Sequence, residues 1–408
     1  MIVDAPNGVE TGLLAESEVR DLAAEGLASL ALDGARVLVL VPDGTRTMPM
    51  GLMFDVLQTE LTGRVAGLDF LVALGTHRAM TDADLSRHFG VDVRGGIAGR
   101  SRVFNHSWND PESFVTLGTI PVREVEEITG GDLSQDVPVR VNRLILDYDH
   151  ILICGPVFPH EVAGFSGGAK YFFPGIAAPE MIDVTHWLGA LRTSYDTIGV
   201  ADTPVRRMIH RATQFIDQVH SLLALVVSHD GVMGVFCGET FETWSRAASL
   251  SAGRHIVKVQ KPFERVLAVM PEMYQDLWTG AKGMYKLEPA VADGGEVCIF
   301  APHIREVSFM HGRVIEEIGY HCRDYFRAQW ERFKQYPWGV LAHSTHVKGK
   351  GSYDPASQVE TARVKVTLAT GIPRAICEKV NLGFRDWRSI ERAEWEVVER
   401  AGEVLYRA

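Results

Sequence analysis

The stretch His160-Glu-Val-Ala-Gly164-Phe-Ser-Gly167-Gly168-Ala-Lys170-Tyr-Phe-Phe-Pro174-Gly175, followed by His186, gathers a proton carrier, a flexible backbone, a primary amine and a metal-ligand type in one segment. Imidazole titrates near neutral pH and is also a common metal ligand. A lysine amine can act as a nucleophile when its surroundings activate it. Glycines let backbone N–H groups approach an anion closely, so Gly164 to Gly168 have the physical character of a phosphate cradle. The Gly-Lys-Ser/Thr triplet of a Walker A loop is absent, and so is the G-x-G-x-x-G fingerprint. Read alone, a glycine turn beside a surface lysine explains the segment equally well.

Polar motifs follow three apolar runs. Asp43-Gly-Thr45-Arg46 follows Arg36–Val41, Gly75-Thr76-His77-Arg78 follows Asp69–Leu74, and Pro159-His160-Glu161 follows His150–Gly155. If the runs are parallel strands, all three motifs lie beyond carboxyl ends of one sheet, where open α/β folds bind ligands. Arg46 suits a planar anion, because a guanidinium donates two parallel hydrogen bonds. Asp43 and Thr45 orient a ligand or, on the blander reading, cap the next helix. His77 and His160 would flank a substrate as two bases, an arrangement suited to handling both enantiomers. In the second half, Trp278-Thr279-Gly-Ala-Lys282 opens a helix that would aim Lys282 across a cleft. Trp338-Gly-Val-Leu-Ala-His343-Ser-Thr345-His346-Val-Lys348 reads as a polar segment after a strand-like run. His343, Thr345 and Lys348 are candidates for contacting a hydroxylated substrate. His343 and His346 also form a poorly spaced metal pair. For His106 and His303 the structural reading is preferred.

The elements that must position these groups alternate between strand and helix. Arg36–Val41 reads as a buried strand, and Pro49–Leu61 carries apolar residues at helical spacing. Asp69–Leu74, His150–Gly155 and Leu222–Ser228 are further strands, and Thr81 caps a helix with acidic residues in its first turn. A second set begins near Lys261-Pro262. It has strands at Arg265–Met270, Glu296–Ala301, Val340–Ala342 and Val364–Ala369 and a helix over Trp278–Ala292 ended by Asp293-Gly294-Gly295. An amphipathic helix is expected over Trp387–Ala401. The fold class is therefore α/β with two domains, 1–262 and 263–408, each a mainly parallel sheet flanked by helices, and the active site is expected in the interdomain cleft.

With 408 residues, 46% hydrophobic and 23% charged, the chain is an ordinary globular protein. A net charge of −11 argues against nucleic-acid and anionic-membrane partners. The N-terminus lacks the pattern of a signal peptide, and no apolar run reaches membrane-span length, so a cytoplasmic location is expected. The five cysteines, Cys154, Cys237, Cys298, Cys322 and Cys377, read as reduced core residues, with no C-x-x-C among them.

Taken together, the motifs resemble the nickel-pincer-nucleotide-dependent lactate racemase family over most of the chain. The resemblance rests on Asp43-Gly-Thr-Arg46, on Gly75-Thr-His77-Arg78, and on His160 with Gly164-Phe-Ser-Gly-Gly-Ala-Lys170, Pro174-Gly175 and His186. It continues through Lys282-Gly-Met to Asp293-Gly-Gly295. It implies a pyridinium mononucleotide with a thioamide and a thiocarboxylate, joined to Lys170, whose nickel takes His186 as its protein ligand. Soft sulfur donors in a near-planar set suit nickel. Asp43, Thr45, Gly167 and Gly168 would bind this cofactor. The implied activity is racemisation or epimerisation at C2 of a 2-hydroxy acid by a reversible hydride shuttle. His77 and His160 would be acid and base, and Arg46 and Lys282 would clamp the carboxylate. Thr279, Trp338, His343 and Lys348 would complete the substrate site. The partners implied are the small 2-hydroxy acid and, transiently, cofactor-synthesis enzymes; homo-oligomerisation is compatible with the sequence.

Two positions depart from the lactate-using pattern: Ala169 replaces an arginine before the lysine, and Thr279 replaces a glutamine. With the polar His343–Lys348 segment, they point to a substrate larger and more polar than lactate, of aldonate or malate type. Two rivals are a zinc-dependent hydrolase built on His77, His160 and His186, and a non-enzymatic cofactor or sugar-acid binding protein. The first lacks a His-x-x-x-His or paired-cysteine signature, and the second leaves the two histidines unexplained.

Overall fold

The computed structural model describes residues 12–395 and 403–407. The chain divides into two compact units. One comprises residues up to His160, Gly164–Thr185 and Gly199–Ile256; the other comprises Glu161–Ala163, His186–Ile198 and the chain from Val257 onward. Besides the passage near the expected Lys261-Pro262 boundary, the chain therefore enters the second unit at 161–163 and again at 186–198.

The first unit is built on a sheet whose central strands are parallel. They are β1 (Arg36–Val41), β2 (Gly67–Val72), β3 (Ser101–Asn105), β4 (His150–Pro156) and β5 (Val219–Val227), with β6 (Val232–Glu239) antiparallel beside β5. The spatial order is β6-β5-β4-β1-β2-β3, extended past β3 by two short strands. Strand β1, Arg-Val-Leu-Val-Leu-Val, is buried along all but its first residue. Such a continuous β-branched and aliphatic run is what a strand covered on both faces requires. Helix α1 (Met50–Leu61) covers one face, and Phe54 packs on Phe70 of β2 and on Phe89 at ring-centroid distances of 5.0 and 5.1 Å. Thr81 caps the Asp82–Phe89 helix as expected: its hydroxyl accepts from the Asp84 N–H at 3.2 Å, and the Asp84 carboxylate accepts the Thr81 N–H at 3.0 Å.

The second unit has an all-parallel sheet in the order Gly383–Phe384, Lys365–Thr370, Val291–Ala301, Phe263–Val269, Glu403–Arg407. Three expectations fail here. The helix expected over Trp278–Ala292 is two short turns, Leu277–Gly280 and Lys282–Tyr285, then a 3-10 turn and the strand from Val291. Gly280 and Gly283 weaken a helix, and Pro289 removes a donor and disfavours α geometry before it. Asp293-Gly294-Gly295 consequently lies within the Val291–Ala301 strand, where the register shifts and Gly294 takes a φ of 81°, and caps nothing. The strand expected at Val340–Ala342 is part of helix α5 (Trp338–Lys348), since a three-residue apolar run carries no period by which strand and helix can be told apart. The helix expected over Trp387–Ala401 is a 3-10 turn at Trp387–Ser389 and one helical turn at Arg392–Trp395; the rest of that span, 396–401, lies outside the described residues. Among the described residues no helix is long and apolar enough to cross a membrane.

The segment 186–198 is fastened into the second unit by several contacts. Trp187 stacks on Trp330 at 5.1 Å, and Arg323 donates to the Leu191 carbonyl at 2.9 Å. Tyr195 receives both the Lys350 ammonium and the Arg363 guanidinium at 4.6 and 4.5 Å from its ring centroid, and Lys350 pairs with Asp196 at 3.2 Å. Arg363 also donates to the Glu288 backbone carbonyl and lies 3.7 Å from its fully buried carboxylate. Burial pushes the Glu288 carboxyl up, and the Lys350 N–H and Arg363 oppose that. Removing the cation strands a buried acid, so Arg363→Leu should cost about 3 kcal/mol. Adding Glu288→Gln should recover part of the loss, and a double-mutant cycle in guanidinium would measure the coupling.

Candidate functional site

The chain winds from β1 outward through β2 to β3, then returns to place β4 on the other side of β1. The β1 and β4 exits therefore diverge, leaving a crevice at the carboxyl edge of the sheet. The loop after β1 carries Asp43-Gly-Thr45-Arg46, and the one after β4 carries Phe158, Pro159 and His160. The Arg46 guanidinium lies 5.9 Å from the Phe158 ring centroid.

Asp43 organises this edge. Its Oδ2 lies 2.5 Å from His77 Nδ1, and its Oδ1 accepts the Thr45 N–H at 3.1 Å and the Thr45 hydroxyl at 2.6 Å. Arg46 Nη1 donates to the Thr45 hydroxyl at 2.9 Å. Burial opposes ionisation of Asp43, but the charge and hydrogen bond of His77, with Arg46 and Thr45, outweigh it and hold the carboxyl well below the usual carboxylate range. An ionised Asp43 accepts the Nδ1 proton of His77. That leaves Nε2 of a half-exposed ring as its proton-transfer atom, the way a carboxylate orients a catalytic imidazole.

The glycine-rich segment closes the same edge. His160 and Gly164 pair across a two-residue antiparallel ladder, which buries His160. A Cβ on Gly164, φ 80°, would sit 1.7 Å from the Val200 carbonyl oxygen. Gly167 and Gly168 also have positive φ, and side chains there would run into Val157 and Trp244. Glycine is thus demanded at 167 and 168 by the protein's own packing, a reason the expected phosphate cradle did not include. Lys170 follows on a 3-10 turn and is half-buried. Its carbonyl accepts the Gly175 N–H at 3.1 Å, and the Gly175 carbonyl accepts the Gly75 N–H at 2.9 Å, tying this turn to the His77 loop. Tyr171 fills the space beside Gly155, where a Cβ would lie 1.9 Å from its hydroxyl oxygen.

In the second unit, His186 is half-buried on α2 (Pro179–Arg192). His343 and His346 are buried on α5, not on a loop. His343 stacks on Trp278 at 4.0 Å and approaches the Tyr320 hydroxyl at 3.5 Å. Burial, reinforced by His346, His311 and His186, drives His343 well below its ordinary value; burial takes His346 down to about 4, against Glu161 and helped by His186. Both ring nitrogens of His346 lack a hydrogen-bond partner. Other expected substrate contacts are engaged internally. Thr279 donates to Asp276, Thr345 to the Ala342 carbonyl at 2.8 Å, and Lys348 to the Asn381 carbonyl at 2.9 Å. Trp338 donates to Lys334 and packs on Trp330. Lys282 lies 4.5 Å from the Tyr274 ring centroid. His106, buried, bonds the Ala177 carbonyl and Asn142, and His303 bonds the Tyr274 carbonyl, so both hold backbone or core.

The family model for the lactate racemase N-terminal domain matches residues 16–199. A lactate racemase of Thermoanaerobacterium thermosaccharolyticum is 25% identical over 280 residues, covering 67% of this chain and 62% of that protein. One of Lactiplantibacillus plantarum is 28% identical over 167 residues, covering 40% and 35%. Residues 16–199 belong to the lactate racemase family. The match spans less than two thirds of the length of either of these relatives. A crystal structure of a Thermotoga maritima protein is 32% identical, covers 98% of this family member and 100% of that chain, and superposes with a TM-score of 0.87. The lactate racemase apoprotein of T. thermosaccharolyticum, 18% identical, shares the fold at a TM-score of 0.69 over 95% of this chain and 90% of that one.

Among the described residues of this lactate racemase family member, no three His, Cys, Asp or Glu side chains are grouped to hold a metal ion. Two residues escaped the sequence reading. Tyr171 looked like one more aromatic in an apolar run. Arg206 is a fully buried guanidinium behind the glycine-rich loop, and its one signal was an arginine among Val205, Met208 and Ile209 in a helix. Asp43→Asn should lower stability at pH 7 by about 2 kcal/mol, the scale of a hydrogen bond to a charged group. Because the folded carboxyl is depressed, its contribution is complete above the unfolded value of about 3.9 and fades as pH falls below it. Urea titrations should therefore show a constant deficit for the variant from pH 7 down to about 4 and a shrinking one in stronger acid.

Proposed function

We propose that this protein is an isomerase, a racemase or epimerase that inverts C2 of a 2-hydroxy acid, and that it uses the nickel-pincer nucleotide that the family resemblance implies. The observation that carries the reading is the Asp43–His77 pair, next to Arg46, at the sheet's switch point and tied by backbone hydrogen bonds to the Lys170 turn. The residues suit the group. Lys170 offers an amine on a braced turn, and His186 is a half-buried imidazole whose neighbours His343 and His346 are held neutral by burial and so do not repel a cation. When bound, the group would supply a hydride acceptor and a nickel ion that polarises the substrate.

The chain's own residues do the rest. His77, its Nδ1 fixed by Asp43, takes the substrate hydroxyl proton at Nε2 or returns it. His160 does the same for the opposite enantiomer. Arg46 and Lys282 are the cations assigned to the substrate carboxylate, where a two-pronged guanidinium sets orientation as well as charge. The substrate is larger and more polar than lactate, an aldonate or malate type. Ala169 is the small residue before the lysine, and the unpartnered ring nitrogens of His346 offer hydrogen bonds to extra hydroxyl or carboxylate groups. Thr345 spends its hydroxyl proton on a backbone carbonyl, whereas Lys348 spends one of three N–H donors that way and keeps two for the substrate. The protein would work in the cytoplasm after loading by cofactor-synthesis enzymes.

The test is intact mass and peptide mapping after anaerobic co-expression with those enzymes and nickel, followed by chiral analysis of a 2-hydroxy-acid panel. A nucleotide-sized adduct on Lys170, with inversion at C2, is the expected result. An unmodified Lys170 under conditions that load another family member would overturn the reading. In the loaded protein His77→Asn and His160→Asn should each lower kcat/KM by roughly 100-fold or more, the scale of general acid–base catalysis. Lactate outperforming every sugar acid and dicarboxylate would overturn the substrate class alone.

A further inference from the structure

Arg206 is a buried cation that the chemistry above does not use. It lies on α3 (Pro204–Thr213), 2% exposed, with its guanidinium 4.1 Å from the ring centroid of Trp244 on α4 (Thr240–His255). Nη2 donates to the Phe165 carbonyl and Nη1 to the Gly167 carbonyl at 3.3 Å, while Nε has no hydrogen-bond partner. Trp244 Nε1 donates to the carbonyl between them, that of Ser166, at 2.8 Å. Three successive carbonyls of the glycine-rich loop are therefore gripped from behind by an arginine and the indole it stacks on. Among the described residues no carboxylate pairs with this guanidinium, and burial pushes it down to about 9.

A buried ion without a counter-ion is costly, and one aromatic face returns only part of that cost. A neutral amide could donate to the same carbonyls without it. The charge therefore calls for an explanation beyond holding the loop. A guanidinium behind a loop raises the potential on that loop in a low-dielectric setting, where screening is weak. We infer that Arg206 is a positioning residue that locks the loop leading to Lys170 and supplies it with an uncompensated positive charge for an anionic, phosphate-bearing ligand. This rests on the proposed function, in which that ligand is the mononucleotide.

The test uses the full chain and nicotinic acid mononucleotide as probe, with affinity measured calorimetrically at low and high salt. Arg206→Lys keeps the charge and Arg206→Gln keeps an amide donor without it. His210→Glu keeps Arg206 and offers it a carboxylate from the next turn, where burial and then the Arg206 charge depress His210. Melting temperature and circular dichroism identify folded variants, so His210→Glu decides the matter if Arg206→Gln does not fold. Wild type and Arg206→Lys should bind within about threefold of each other, while Arg206→Gln and His210→Glu should bind about tenfold more weakly or worse. Folded neutralised variants that bind the probe like wild type, or that acquire the Lys170 adduct equally well, would overturn the inference and leave the proposed function standing. A wild-type chain that neither binds the probe nor carries an adduct would remove both.

Discussion

The site depends on β1 being hydrogen-bonded in parallel to β2 on one side and β4 on the other. Because a parallel strand is buried on both faces, its polar work is confined to its ends. All three strands point the same way, so their carboxyl ends deliver Asp43, His77 and His160 to one edge. The reversal of winding between β1 and β4 then opens a gap there instead of continuous backbone. A base held by a carboxylate, next to a guanidinium and a lysine turn, follows from that geometry with little further design.

Three buried charges show three ways of tolerating a charge away from water. Asp43 is compensated by hydrogen bonds and a cationic partner, so it stays ionised and steers an imidazole. Glu288 is compensated less completely, and its carboxyl is driven up while it anchors Arg363 and the turn at Lys350. Arg206 has an aromatic face and backbone carbonyls but, among the described residues, no acid. The difference lies in what each one holds: an imidazole for Asp43, an arginine and a turn for Glu288, and three loop carbonyls, with Trp244, for Arg206.

Much of this was legible in the sequence where the physics is local. The β1, β2, β4 and β5 runs are largely apolar, helix α1 carries its apolar residues at helical spacing, and polar motifs follow β1, β2 and β4, so the sheet edge could be placed without coordinates. The Asp43–His77 hydrogen bond could not, because it joins residues from two loops and depends on strand order. Likewise, the run of Val340–Ala342 is too short to show a period, and burial of the polar residues after it on α5 is a tertiary fact. Gly167 and Gly168 read as ligand-facing because a glycine run announces close approach without saying of what. Here the approaching groups are Val157 and Trp244. Arg206 sits in a helix where arginine is unremarkable until the packing around it is known.

The backbone link from Lys170 through Gly175 to Gly75 has a kinetic meaning as well. Two hydrogen bonds in series join the turn bearing the amine to the loop bearing the base. Neither loop can open fully without breaking a bond that the other shares. The amide protons of Gly75 and Gly175 should therefore exchange with solvent in one cooperative event, as parts of a single small foldon. Amine and base would then be exposed or withdrawn together.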